Sequence, residues 1–233
     1  MIRNLLKRAC DISGVPRYWV LSCIDEFGMF KARLYNCLSF QRLRVKRRVR
    51  RTNQPKVIFG CGMTSYDDWI GVDCFFAPHV DVVTDLRRSS PFPDSSVNFC
   101  FSEHFLEHLN PEEGCRHLED VCRILKPGGV YRVVVPHAVR FMKKYIEKDD
   151  AFFERAFPWA DENIDAVYSI LNWGGRHRNI LDFPTLERMA KQAGFESAIE
   201  SSAQSSEELA LRIDITNPQR VEESLYVEIR KRN

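Results

Sequence analysis

The chain has 233 residues, of which 44% are hydrophobic and 12% aromatic. This excludes global disorder and suits one domain with appendages; no apolar run reaches the ~20 residues of a membrane span. Net charge is only +2, yet thirteen basic residues precede Lys56, opposed by Asp11, Asp25 and Glu26 alone, an asymmetry that points to an anionic partner for the basic part.

Met1–Ala9 alternates charged with apolar residues and no apolar core follows, so no secretory leader is expected and the chain is placed in the cytoplasm. Residues 1–52 read as a basic helical extension, with Phe30, Leu34, Leu38 and Leu43 at roughly helical spacing. Arg42, Arg44, Lys46, Arg47, Arg48, Arg50 and Arg51 crowd the end of this stretch. A basic amphipathic helix of this kind suits the inner face of an anionic membrane; the plainer reading is a solvated helix docked through its leucines.

Thr52–Pro55 is a breaker, and residues 53–233 read as one α/β domain. Its strands are expected at Val57–Phe59, Ile70–Asp73, Val80–Thr84, Val97–Phe101, Val130–Val135 and Leu225–Ile229. Short Val/Ile/Phe-rich runs alternating with helical ones indicate a mostly parallel sheet with helices on both faces. Asn110–Pro111–Glu112–Glu113 predicts a helix start, and Lys126–Pro127–Gly128–Gly129 a turn after its end. Residues 138–180 form a predicted helical lid or insert with many aromatics, and Asp182–Phe183–Pro184 starts a further helix. Ser201–Glu208 is polar and reads as a loop.

Eight cysteines form no CxxC pair, and no Cys/His pair has zinc-finger spacing. Reduced thiols and no metal are therefore expected.

Five strand ends carry candidate chemistry. Gly60–Cys61–Gly62 ends the first strand, where missing side chains let a ligand approach the backbone; alone this is ordinary turn chemistry. Asp73 ends the second, where an acid can accept from ribose hydroxyls, or simply terminate a strand. Asp85 ends the third, and Ser102–Glu103–His104 leaves the fourth, at the carboxyl edge where open α/β sheets bind ligands. His137 ends the fifth and, with His104, is a candidate general base. Arg176 and His177, on a glycine loop, are candidates for gripping an anionic or sugar substrate, or are solvated. His108 is read as structural.

In order and spacing these features, with Asp94-Ser-Ser-Val, Leu106-Glu-His-Leu, Arg123-Ile-Leu-Lys-Pro-Gly-Gly and Val134-Val-Pro, resemble the class I S-adenosylmethionine-dependent methyltransferases, in the "methyltransferase 11"-like branch. The resemblance covers Lys56–Pro136 well and Arg176–Phe195 more loosely. It implies a Rossmann-like sheet and S-adenosyl-L-methionine as cofactor. It places Gly60 and Gly62 beside the methionine part, Asp73 on the ribose, Asp85 and Leu86 at the adenine, and Ser102, Glu103 and His104 on the floor. Three positions depart from the family. Ile58 stands where an acid usually helps hold the cofactor's ammonium, Asn98 replaces an acid of the fourth strand, and only ten residues separate Gly62 from Asp73, too few for a full crossover helix.

The function expected is methyl transfer to a saccharide or other small polar, lipid-linked or free, acceptor. The alternatives are a nucleic-acid or protein methyltransferase, suggested by the basic arm, and a non-catalytic binding module on the same fold, suggested by Ile58. A nicotinamide dehydrogenase would want glycine where Ser65 stands.

Overall fold

The computed structural model describes residues 14–15 and 17–233. The basic residues Arg3, Lys7 and Arg8, the Cys10 thiol and the reading of Met1–Ala9 lie outside the described residues. Two helices come first, α1 (Arg17–Leu38) and α2 (Gln41–Arg51). The sheet then alternates with helices: β1 (Lys56–Phe59), β2 (Trp69–Asp73), β3 (Val82–Val83), β4 (Val97–Glu103), α3 (Pro111–Ile124), β5 (Leu125–Pro136), α4 (Ala138–Ile146), α5 (Asp150–Ala156), α6 (Asn163–Asn172), α7 (Phe183–Gln192), β6 (Ser197–Ser201), α8 (Pro218–Glu223) and β7 (Ser224–Arg230).

The seven strands lie in the order β3-β2-β1-β4-β5-β7-β6. β1 to β5 are parallel and β7 runs antiparallel between β5 and β6. The order reverses at β1/β4, the switch point at which a doubly wound sheet opens a crevice. This is the α/β, Rossmann-like sheet expected from the alternating runs.

Alternate residues of each strand feed two cores. On one face Val57, Phe59, Cys100, Tyr131 and Val133 pack with Val45 and Val49 of α2, Leu118 and Val121 of α3, and Leu186 and Met189 of α7. On the other, Ile58, Trp69, Phe101, Val130, Val134 and Tyr226 are covered by Tyr66 from the β1–β2 loop and by Leu211, Ala203 and Ile213 from the segment before α8. No helix lies between β1 and β2, as the short connection requires. Phe141, Phe152, Phe153, Phe157, Val167 and Ile170 form a third cluster inside the α4–α6 insert.

Local signals account for the helix ends. The Asn110 side chain accepts from the Glu113 N–H at 2.9 Å while Glu113 accepts from the Asn110 N–H at 2.9 Å, a reciprocal capping box with Pro111 in the first turn. Asp182 caps α7 through the Thr185 N–H. The turn expected at Lys126–Gly129 is a bulge: β4 advances from Val97 to Phe99 while β5 advances from Leu125 to Val130. Gly128 sits there at φ +72°, where a Cβ would meet Asn233 at 2.6 Å.

One group crosses the second core. Arg132 of β5 is fully buried and holds Asp214 at 2.7 and 2.8 Å, Glu228 at 2.9 Å and the Ser202 carbonyl at 2.7 Å. It thereby pins residues 202–214 onto the sheet. No helix among the described residues is long and apolar enough to cross a membrane. The seven described cysteines are all free.

Candidate functional site

At the switch point, the carboxyl ends of β1 and β4 open into a cleft of about 440 Å³, bordered by Gly60, Gly62, Glu103, His104 and Glu107 on the sheet side and by Phe157, Trp159, Trp173 and Arg220 on the other. Pockets of about 300–1,000 Å³ are those that take small ligands. A wider groove of about 840 Å³ lies elsewhere, where Arg123 is paired with Asp120 and Arg87 with Glu26 and Asp85.

Both loop glycines have positive φ, +63° at Gly60 and +58° at Gly62. They differ in what surrounds them. A Cβ on Gly60 would meet the Phe105 ring at 2.6 Å, whereas one on Gly62 would find only the Gly60 carbonyl oxygen, at 4.0 Å. Gly60 thus lets Phe105 pack, and Gly62 leaves the space a ligand can enter. Asp73 is buried and braces this loop, accepting from the Gly62 N–H at 2.9 Å and the Cys74 N–H at 2.6 Å. Burial raises its carboxyl above the usual range, against the pull of these two N–H groups.

Glu103 follows from strand register. Ile58 pairs with Phe101 and Phe59 with Ser102, so Glu103 stands opposite Gly60 in the next step. Its Oε2 accepts from the Ile215 N–H at 3.1 Å and its Oε1 is 3.4 Å from Arg220 Nε; burial raises its pKa. Arg220 also holds Glu223 at 2.7 Å. His104 occupies a left-handed backbone, φ +49°. Its Nε2 lies 2.9 Å from Ser224 Oγ and its Nδ1 3.5 Å from Glu107 Oε1. Burial, then Arg220, hold this imidazole well below its ordinary pKa. Glu107 is buried, and burial pushes its carboxyl up to about 8.

His177 borders the same cleft, with Nδ1 2.6 Å from the Ile170 carbonyl. Arg176 points away, stacked over Trp173 at 5.5 Å from the ring centre.

Apart from Arg176 and from Asp73 behind the loop, four expected site residues do not line the cleft. Ser102 is fully buried and its Oγ lies 2.7 Å from Tyr131 Oη, on the opposite face of β4 from Glu103; the pleat, which alternates faces, turns it into the helix-covered core. Asp85 faces the wider groove, its carboxylate taken by Arg87 at 2.9 Å and Arg33 at 3.4 Å. Leu86 is core. His137 caps α4, its Nδ1 accepting from the Arg140 N–H at 3.3 Å, beside a separate surface groove. Glu107, Arg220, Glu223 and Trp173 are site residues the sequence reading did not single out. For Glu107 a signal existed, an acid next to histidine just past a strand end; for Arg220 and Glu223 there was none.

Residues 72–133 match the family described as a methyltransferase domain. No curated protein sequence matches. Solved structures of similar shape include a methyltransferase of Thermotoga maritima titled a possible histamine N-methyltransferase (16% identity, 78% of this chain and 84% of that one, TM-score 0.48). Another is a methyltransferase of Archaeoglobus fulgidus (19%, 82% and 94%, 0.45). A third is phosphoethanolamine N-methyltransferase 2 of Haemonchus contortus in complex with S-adenosyl-L-methionine (15%, 83% and 52%, 0.45), so this chain spans about half the length of that protein. The family match runs from Val72 in β2 to Val133 in β5 and takes in Glu103, His104 and Glu107 of the cleft; over that stretch the chain is similar to methyltransferase domains.

Proposed function

We propose that this S-adenosylmethionine-dependent methyltransferase acts on a saccharide or a similar small polar acceptor in the β1/β4 cleft. The observation that carries the reading is the wall facing the glycine loop. Trp159 and Trp173 are half exposed there and Phe157 stands between them and the insert core. Flat rings beside Arg220 and His177 suit a ligand with an apolar face and a rim of hydroxyls. A methyl-transfer screen over sugar-nucleotide, lipid-linked and nucleic-acid acceptors tests it; incorporation into nucleic acid alone would overturn it.

The residues present fit the cofactor at one end. Gly62 is open, Gly60 borders it, and Asp73, behind the loop with its carboxylate on the Gly62 N–H, would be the acid for the ribose. Glu103, one strand over from Ile58, would supply the carboxylate for the ammonium that position 58 lacks. Asp85 and Leu86 do not fit the adenine role, being engaged by arginines and by the core. When bound, the cofactor supplies an electrophilic methyl group. The chain's part is then to hold the acceptor in line and to exclude water, with the α4–α6 insert as the lid. Asp73→Ala is expected to weaken S-adenosylmethionine binding by about 1.5–3 kcal/mol. Calorimetry on the folded variant checks this, and unchanged affinity would remove Asp73 from the site.

The helices before the sheet support a second element of the proposal, peripheral attachment to an anionic membrane. α2 docks through Val45 and Val49, not through leucines, and Leu34, Leu38, Phe40 and Leu43 are exposed beside Arg42, Arg44, Lys46, Arg47, Arg50 and Arg51. Each basic side chain at an anionic surface contributes about 1 kcal/mol. The protein is expected to sediment with anionic but not neutral vesicles. Changing Arg42, Arg47, Arg50 and Arg51 to Gln should abolish this; no sedimentation at low salt would refute it.

A further inference from the structure

The cleft contains one group that methyl transfer leaves unexplained. Both carboxylate oxygens of Glu107 are buried without a hydrogen-bond partner. Such a group is costly, and in folded proteins it calls for a reason, an unseen ion among them. The nearest nitrogens, His104 Nδ1 at 3.5 Å and His177 Nε2 at 3.9 Å, are too far for well-formed hydrogen bonds. A carboxylate oxygen of Glu107, one ring nitrogen of His108 and one of His177 all lie within 4.8 Å of one another.

We propose that Glu107, His108 and His177 form a site for a divalent transition metal on the floor of the cleft. Two imidazoles and one carboxylate are a recurrent donor set for such ions, with further positions left for water or substrate. Ligand bonds of about 2.0–2.2 Å place the donors of a tetrahedral site roughly 3.4 Å apart. Side-chain rotations of about an ångström close the present spacing to that.

The surroundings are those a metal site needs. His177 Nδ1 is 2.6 Å from the Ile170 carbonyl and His108 Nδ1 is 3.2 Å from the Arg176 carbonyl. A carbonyl only accepts, so both protons sit on Nδ1 and each Nε2 keeps its lone pair. This is the outer-shell arrangement that orients metal-binding histidines. The Glu107 carbonyl in turn accepts from the Arg178 and Asn179 N–H groups at 2.8 and 3.1 Å, fastening the His177 loop against the Glu107 turn. The histidine rings lie 5.1 Å apart between centres, with Trp173 against both. Sixty-eight residues separate His108 from His177, so no local spacing reveals the set and only the fold assembles it. An ion held there faces the same cavity as the glycine loop, where it can bind an acceptor hydroxyl and ease loss of its proton.

The test is metal binding itself. The chain, stripped with a chelator, is titrated with Co²⁺ while its visible absorption is followed, and with Zn²⁺ by calorimetry, with Mg²⁺ as control. One Co²⁺ or Zn²⁺ per chain is expected, with a rise in Tm, and at least tenfold weaker binding in Glu107→Gln, His108→Ala and His177→Ala. The wild-type titration does not depend on whether any variant folds. Absence of saturable Co²⁺ and Zn²⁺ binding, or binding unchanged in folded Glu107→Gln and His177→Ala, overturns the site. S-adenosylmethionine affinity, measured separately on the stripped chain, tells that failure from failure of the cofactor assignment.

Discussion

Replacing Arg132 with methionine is expected to destabilise the protein by about 3–5 kcal/mol, a fall of roughly 10 °C or more in Tm for a domain of this size. Methionine fills a similar volume, so the loss is not one of packing. It comes from Asp214 and Glu228, which stay inside the second core with their principal cation removed. The Gln204 N–H still reaches Asp214 at 2.8 Å, but a single dipole does not offset a buried negative charge. Thermal melts give the size of the effect. A triple variant, Arg132→Met with Asp214→Asn and Glu228→Gln, is expected to recover a good part of it, since neutral amides are cheaper to bury than unpaired carboxylates. If the single and triple variants melt alike, the charges are not what the arginine answers.

The second large effect is expected at His104, where alanine should slow methyl transfer about 10²–10⁴-fold, the contribution of a well-placed proton acceptor, while leaving cofactor affinity within a few-fold. The ring is at the end of β4, held by Ser224 and turned toward the cleft by an uncommon backbone conformation. A hydroxyl acceptor must lose its proton as the methyl group arrives, and His104 is the imidazole at the head of that strand. Ser224→Ala tests the positioning: it should lower turnover less than His104→Ala and should not alter cofactor binding. A loss below tenfold in His104→Ala on a verified acceptor would mean that alignment alone carries the reaction. His137→Ala, by contrast, should affect α4 and not turnover.

The strand runs and the caps were legible because they are local. Val57–Phe59 and Ile70–Asp73 are short apolar runs, and Asn110 through Glu113 carries its own hydrogen-bonding logic. β6 was not legible: Ser197–Ser201 is an edge strand with mostly exposed side chains, so it carries no apolar run. β3 shrank to Val82–Val83, because its lone partner β2 ends at Asp73. In the site, sequence order named the right strand ends but not which way each side chain turns. Ser102 and Glu103 are neighbours in the chain and lie on opposite faces. The acids Asp73 and Asp85 look alike in sequence; one meets the glycine loop, the other two arginines. His137 reads as a base until the Arg140 N–H claims its ring.

The bare connection between β1 and β2 has an energetic meaning. A helix beginning on a glycine loop presents unpaired N–H groups and a partial positive charge to an anion beside it. Residues 60–68 begin no helix, so a methyl donor with its carboxylate on this loop would do without that field. The demethylated product carries the same carboxylate and forgoes the same attraction. A deficit shared equally by donor and product leaves their balance unchanged. With weaker attraction at that end both are expected to leave sooner, which would move the slow step away from product release and toward the chemistry itself.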